Sequence, residues 1–249
     1  MVTIPRSELS QASAHLWYVF PETLTDAALL DAYYQLMCDE ERAQHGRFRF
    51  EKGRHEYLVT RALVRTVLSR YVTVDPSTWR FEKNKYGKPS ISDPRGLPPL
   101  SFNLSNTTGL IACLVTLGRE VGVDVEDMTR PGETVEVAEQ FFSPTEVATL
   151  RALPVSAQRY RFFEYWTLKE AYIKARGMGL SLPLEQFSFH LEVGQPVRIF
   201  FDSRLRDDPR SWQFTQFQPT LRHLMATAIR RGAEAPLSIS LQLTLPLIS

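Results

Sequence analysis

Apolar and polar residues change rhythm repeatedly along this chain. HLWYVF at 15–20 is an apolar run closed by Pro21 and predicts a strand. Over 25–43 the positions Leu29, Leu30, Tyr33, Leu36 and Met37 recur at helical spacing. A second, stronger helix is expected over 52–71, with Tyr57, Leu58, Ala62, Val64 and Leu68 apolar and Arg54, Arg61 and Arg65 on other faces. Residues 78–82 read as a short strand, and the KNKYGKPSISDPRGLPP stretch after it is expected to be irregular because Pro and Gly punctuate it. SFNLS (101–105), GLIACLVTL (109–117) and VGVDVE (121–126) predict strands.

The second half repeats that order. TRPGETVEVAEQFF (129–142) reads as loop passing into helix. SPTEVATL (143–150) opens a helix with Ser143 as cap, Pro144 in the first turn and Glu146 three residues on, a capping box. A long helix over 156–176 ends at Gly177. FSFHLEV, VRIFF, WQFTQF and HLMATAIR predict strands, and the alternating LSISLQLTL a last edge strand. A long helix followed by strands thus occurs twice. The pattern predicts an α+β protein of two similar lobes, each a long helix packed on a small, mostly antiparallel sheet, with a cleft between them. The expected bounds are 1–118, 119–232 and a C-terminal extension, 233–249.

Composition narrows the function. The chain has 249 residues, 43% hydrophobic and 23% charged, with a formal net charge of +1, so no global field favours a nucleic acid. No apolar run approaches the ~20 residues of a membrane span, and the start of the chain lacks the pattern of a signal peptide. Two cysteines, Cys38 and Cys113, show neither pairing nor metal-ligand spacing. A cytoplasmic protein is expected.

Three groups carry candidate chemistry. In VGVDVE, strand alternation puts Val121, Val123 and Val125 on one face, toward the core, and Asp124 and Glu126 on the other. Two carboxylates at i, i+2 repel unless a cation lies between them, and such oxygens suit Mg²⁺; a solvent-facing strand has the same pattern. In WTLKEAYIKARGMGL (166–180), Trp166, Glu170 and Lys174 share a helix face, either as a surface ion pair or along a polar cleft. In KNKYGKP (83–89), Lys83, Lys85, Tyr86, Gly87, Lys88 and Pro89 form a cationic tip, either solvated or suited to an anion.

In order and spacing, the GKP loop, the N-x-S strand end, G-x-D-x-E and W-x-x-K-E-x-x-x-K resemble the 4′-phosphopantetheinyl transferases of the surfactin-synthetase type. The resemblance runs from about Arg47 to Leu191 and includes FFSPTE (141–146) and GLSLPLEQFSF (179–189). It implies a monomer of two pseudo-symmetric α+β lobes, with the active site and coenzyme A between them, that moves the phosphopantetheine arm of coenzyme A onto a serine of acyl or peptidyl carrier proteins of polyketide, non-ribosomal peptide or fatty-acid synthesis, releasing 3′,5′-ADP. Asp124, Glu126 and Glu170 would hold Mg²⁺, with Mn²⁺ as the alternative. Lys174 would touch the diphosphate, and Lys88 with Asn103, Leu104, Ser105 and Asn106 the nucleotide and its phosphates. Glu170 would take the serine proton, directly or through water. Phe141 and Phe142 would meet the carrier, unless they belong to the core.

The chain departs from that pattern in two places. Asn106 stands where many relatives have histidine, and Glu41 and Gln44 stand where the surfactin-type enzyme has lysines. Arg47 or Arg54 is expected to take over the 3′-phosphate. A coenzyme- or nucleotide-binding module without turnover, or another metal-dependent phosphotransferase, are the competing functions.

Overall fold

The computed structural model describes residues 5–132, 134–232 and 234–248. Glu133, in the loop expected before the first helix of the second half, and Ala233 and Ser249, at the ends of the expected extension, lie outside the described residues. In chain order the elements are β1 (Ser13–Val19), α1 (Ala27–Leu36), α2 (Asp39–Gly46), α3 (Glu51–Ser69), β2 (Arg80–Lys83), β3 (Pro89–Asp93), β4 (Leu100–Thr107) and β5 (Leu110–Leu117). They continue with β6 (Val121–Asp127), α4 (Val135–Phe141), α5 (Pro144–Ala152), α6 (Val155–Arg176), β7 (Phe187–His190), β8 (Arg198–Phe201), β9 (Trp212–Thr220), β10 (His223–Arg230) and β11 (Ser238–Leu243). The chain divides into two units, 1–118 with 237–249, and 119–236.

Unit 1 packs α3 on a sheet of order β11-β1-β5-β4. Alternation selects the helix-facing residues: Trp17 and Val19 from β1, and Ile111, Cys113 and Val115 from β5, all buried with Val59, Leu63 and Val67 of α3. Each such side chain contributes about 1.5–3 kcal/mol of burial. The 238–243 strand joins as an edge, parallel to β1. The residues after it are tied down where Tyr33 donates to the Pro246 carbonyl at 2.8 Å and Arg70 to Thr244 at 3.2 Å.

Three expectations fail in unit 1. The single helix over 25–43 is two, because the chain turns extended at Met37 and Cys38 and Glu41 accepts the Cys38 amide to start α2 afresh. The stretch expected to be irregular contains β3, which pairs antiparallel with β2. Asn84 closes the hairpin by accepting the Tyr86 and Lys88 amides, with Gly87 at φ 89°. Arg65, expected on a polar face, is fully buried. Its guanidinium donates to the Pro76 and Trp79 carbonyls at 3.0 and 2.8 Å and to Glu41 at 2.5 Å, so its charge is paired where no water reaches it.

Unit 2 repeats the plan: a strand (β6), a long helix (α6), a hairpin (β7–β8), then a second hairpin (β9–β10). Its sheet has the order β6-β10-β9, as unit 1 has β1-β5-β4. Helix α6 runs 22 residues and stops at Gly177 in the left-handed conformation, as read from the sequence. The Ser143–Glu146 capping box starts α5. Glu146 does more than cap: fully buried, it pairs with Lys169 at 2.8 Å and accepts the Phe189 amide at 2.9 Å. Lys169 also donates to the Leu184 and Phe187 carbonyls. Among the described residues, no helix is long and apolar enough to cross a membrane.

Candidate active site

In unit 2, β6 lies directly beneath α6, and Gly122 makes that approach possible. A Cβ at Gly122 would overlap the Ala171 carbonyl oxygen and the Ala175 amide nitrogen, so only glycine fits. The contact brings the 124/126 face of the strand against the helix. The valines of β6 are buried as expected. The corrected point is which face joins the unit's apolar cluster. Leu224, Ala226 and Ala228, the β10 partners of Glu126, Asp124 and Gly122, belong to it, together with Leu168, Ala171 and Ala175 of α6. The two carboxylates therefore open from the helix-packed side of the sheet, at its polar margin.

Across this seam Lys174 donates to Asp124 Oδ1 at 2.6 Å. Trp166, two turns earlier, donates its indole N–H to Glu126 Oε1 at 2.8 Å, and Arg130 reaches Glu126 Oε2 at 3.0 Å. Burial, and next the charge of Asp124, push the Glu126 carboxyl up to about 7. The same two causes, partly offset by Lys174, raise Glu170 above the ordinary carboxylate range. Asp124, Glu126, Glu170 and Lys174, far apart in sequence, are thus brought together, with Asp124 at the electrostatic centre.

Asp124, with two carboxyls whose ionisation its charge disfavours, makes a donor set suited to a hard divalent cation. As the side chains stand, no three His, Cys, Asp or Glu groups among the described residues are arranged to hold a metal ion. Lys174 supplies positive charge to Asp124, and Arg130 to Glu126. A cation at this seam would compete with those two side chains for the same oxygens.

Aromatic packing supports the seam. Phe142 stacks on Phe162 and Phe162 on Trp166, with centroids 5.3 and 5.7 Å apart. Phe142 is buried and Phe141 half-exposed. Phe142 is therefore core, and the pair expected at a carrier surface reduces to Phe141.

In unit 1, a cavity of about 860 Å³ lies between α2, α3 and the β2–β3 hairpin. Of the residues expected at the nucleotide it collects Lys83, Gly87, Pro89 and Leu104. Lys85, Tyr86 and Lys88 sit on the hairpin tip but outside its lining, Lys85 lying over the Tyr86 ring. The 103–106 run does not act as one surface: Asn103 and Ser105 are buried, whereas Asn106 is exposed. Arg47 and Arg54 are exposed and line no part of this cavity; Arg54 donates to the Phe48 carbonyl. The arginines that do line it are Arg61 and Arg80, which sequence reasoning missed. Arg61 lies one turn before Arg65 on α3, and its helix face carried the only available signal.

A family model described as the 4′-phosphopantetheinyl transferase superfamily matches residues 120–229, and one described as 4′-phosphopantetheinyl transferase, N-terminal, matches 25–116. The 4′-phosphopantetheinyl transferase HetI of Nostoc sp. is 33% identical over 195 residues, covering 78% of this chain and 81% of that protein. A 4′-phosphopantetheinyl transferase of Bacillus subtilis is 38% identical over 184 residues, covering 74% and 80%. The Sfp transferase of Bacillus subtilis strain 168 is 36% identical over 169 residues, covering 68% and 73%. The two family matches meet at the boundary between the two units, and together they span both halves of the repeated plan: the chain belongs to the 4′-phosphopantetheinyl transferase family.

Proposed function

We propose that this chain transfers the 4′-phosphopantetheine arm of coenzyme A to a serine hydroxyl of apo acyl or peptidyl carrier proteins. The observation that carries this reading is the seam at which Lys174 meets Asp124 beside Glu170. In the reaction the serine oxygen bonds to the β-phosphorus, the bond from that phosphorus to the bridging oxygen breaks, and adenosine 3′,5′-diphosphate leaves. Unit 1 supplies a cavity for the nucleotide, and unit 2 the groups for transfer.

Asp124, Glu126 and Glu170 would hold a divalent cation, Mg²⁺ in our reading with Mn²⁺ as the alternative, and when bound it neutralises charge on the diphosphate. Lys174 turns its ammonium to the diphosphate, adding a positive charge where negative charge builds on the leaving group. Asp124 holds that ammonium in place meanwhile. Glu170 accepts the serine proton, directly or through a water. Trp166 fixes one Glu126 oxygen and so limits how that carboxylate turns. Half-exposed Phe141 offers an apolar contact to the carrier surface. The catalytic unit is a cytoplasmic monomer in this reading.

The test is direct. The protein is incubated with coenzyme A, Mg²⁺ and an apo carrier protein, and the carrier is weighed by mass spectrometry. A gain of one phosphopantetheine is expected; no gain across several carriers removes the proposal. Glu170→Gln should abolish the gain without changing the circular dichroism spectrum.

A further inference from the structure

Lys174 lies in the last turn of α6, just before the stop at Gly177. Helix ends fray, so a charge placed there is only as well aimed as its turn is held. The contact of α6 with β6 is made by Ala171 and Ala175 against Gly122. Such small residues set the distance between the elements but interlock little, and leave the helix free to rotate about its axis. Something else has to fix that rotation.

Tyr172 and Arg176 stand one turn apart on the far side of the helix, about 160° around its axis from Lys174. Both meet the same atom. Asp207, on the loop between β8 and β9, accepts the Tyr172 hydroxyl on Oδ2 at 2.7 Å, and the Arg176 guanidinium donates to that oxygen too. The Trp212 indole N–H reaches it at 3.1 Å. The Asp207 side chain is 2% exposed, so its buried charge is matched by one guanidinium and two neutral donors.

The network continues to β6. Arg176 Nε lies 3.7 Å from Glu120 Oε2, and Arg230, at the end of β10, donates to Glu120 Oε1 at 2.7 Å. Arg230 Nη2 is 3.9 Å from Asp207 Oδ1. Two carboxylates and two arginines thus close a ring. Glu120 directly precedes β6, so the ring ties the end of the helix carrying Lys174 to the start of the strand carrying Asp124.

We infer that Asp207 is a positioning residue for the transfer: through Tyr172 and Arg176 it fixes the rotation of the last turns of α6, and with it the direction of the Lys174 ammonium. This rests on the coenzyme A reading above. Asp207 touches neither coenzyme nor serine, and Lys174 carries its effect.

The experiment follows transfer from coenzyme A to an apo carrier protein by mass spectrometry, in the full chain. Asp207→Asn keeps the shape and removes the charge that holds Arg176. It should lower kcat roughly 10- to 100-fold, the cost of a small misplacement at a reacting centre, with KM for coenzyme A within about 3-fold of wild type. In a Lys174→Met background the same substitution should change kcat by less than about 2-fold, because the residue it acts through is gone. Arg210→Gln, an exposed side chain near Asp207, should match the wild type.

Thermal melts establish that each variant is folded at the assay temperature. Should Asp207→Asn melt below it, Glu120→Gln on the exposed side of the ring takes its place in the same cycle, with an expected loss of about 3-fold. An unchanged kcat in the folded variant, a loss confined to KM, an equal loss with and without Lys174, or a similar loss in Arg210→Gln overturns the inference while transfer itself stands. Absence of transfer by the wild type overturns the coenzyme A reading, and this inference with it.

Discussion

Lys174 on α6 and Asp124 on β6 meet at 2.6 Å, fifty residues apart in sequence. The Asp124 side chain is 6% exposed and that of Lys174 28%, so the carboxylate anchors the pair while the ammonium keeps a face toward solvent. Of the two, the lysine is therefore the one placed to serve an incoming anion. Lys174→Met should lower kcat/KM for carrier modification by about 10²–10³, the usual cost of removing one charge-stabilising donor. Asp124→Asn combined with Lys174→Met should cost far less than the two losses multiplied together. Strict multiplicativity in the double-mutant cycle would show that the pair does not act as a unit.

The crowding of Asp124, Glu126 and Glu170 gives a binding prediction that needs no turnover. Mg²⁺ should raise the melting temperature of the wild type, because it offsets repulsion among carboxylates that remains without it. Asp124→Asn and Glu170→Gln should each abolish most of that rise. Equal Mg²⁺ stabilisation of all three proteins in a thermal melt would place the cation elsewhere.

Gly122 sets the distance between strand and helix. Gly122→Ala should destabilise the chain by about 1–3 kcal/mol through overpacking and depress transfer activity beyond what lost stability accounts for. Denaturant unfolding and activity measured on the same preparation check both; wild-type values in either would refute the close-approach account.

The buried Glu146–Lys169 pair joins α5 to α6 one residue before Glu170. Removing one partner should cost about 3–5 kcal/mol, so Lys169→Met alone should melt roughly 6–20 °C below wild type. Pairing it with Glu146→Leu should recover part of the loss. A double variant less stable than either single one would argue against the charge imbalance as the cause.

His15 supplies the pH dependence. Its Nδ1 lies 3.0 Å from the Tyr71 hydroxyl, which accepts from Trp17 at 2.6 Å. A neutral ring can accept the Tyr71 proton, and burial pushes its pKa below the ordinary value of 6.5. Since the folded pKa is the lower one, the unfolded chain binds the proton first. The contribution of His15 is full above 6.5 and declines as pH falls through 6.5 toward the folded value. Melting curves from pH 8 to 5 should therefore slope less in His15→Gln than in the wild type; identical slopes would exclude His15 as a contributor.

Much of this was legible in the chain. The capping box at Ser143, the stop at Gly177 and the strand carrying Asp124 and Glu126 rest on short-range rules, and these elements lie where the spacing puts them. Arg65 and Lys169 were not legible as interior residues, because a charge in an apolar helix looks the same whether its partners are carbonyls or water. Glu146 likewise reads as an ordinary cap position and Glu41 as a replaced lysine, and only tertiary packing gives each a buried cation. Arg47 and Arg54 advertise charge near the start of α3, but which arginine borders a cavity depends on how α2 and the β2–β3 hairpin fold against it. That selected Arg61.

The plan shared by the two units has a further meaning. In unit 1 the β1 residues turned toward the long helix are Trp17 and Val19, sealed in apolar packing. In unit 2 the corresponding first strand turns Asp124 and Glu126 the same way. The same strand–helix joint is thus closed by apolar side chains in one unit and carries acid in the other, where glycine keeps strand and helix close. One joint can only pack; the other can also hold charge.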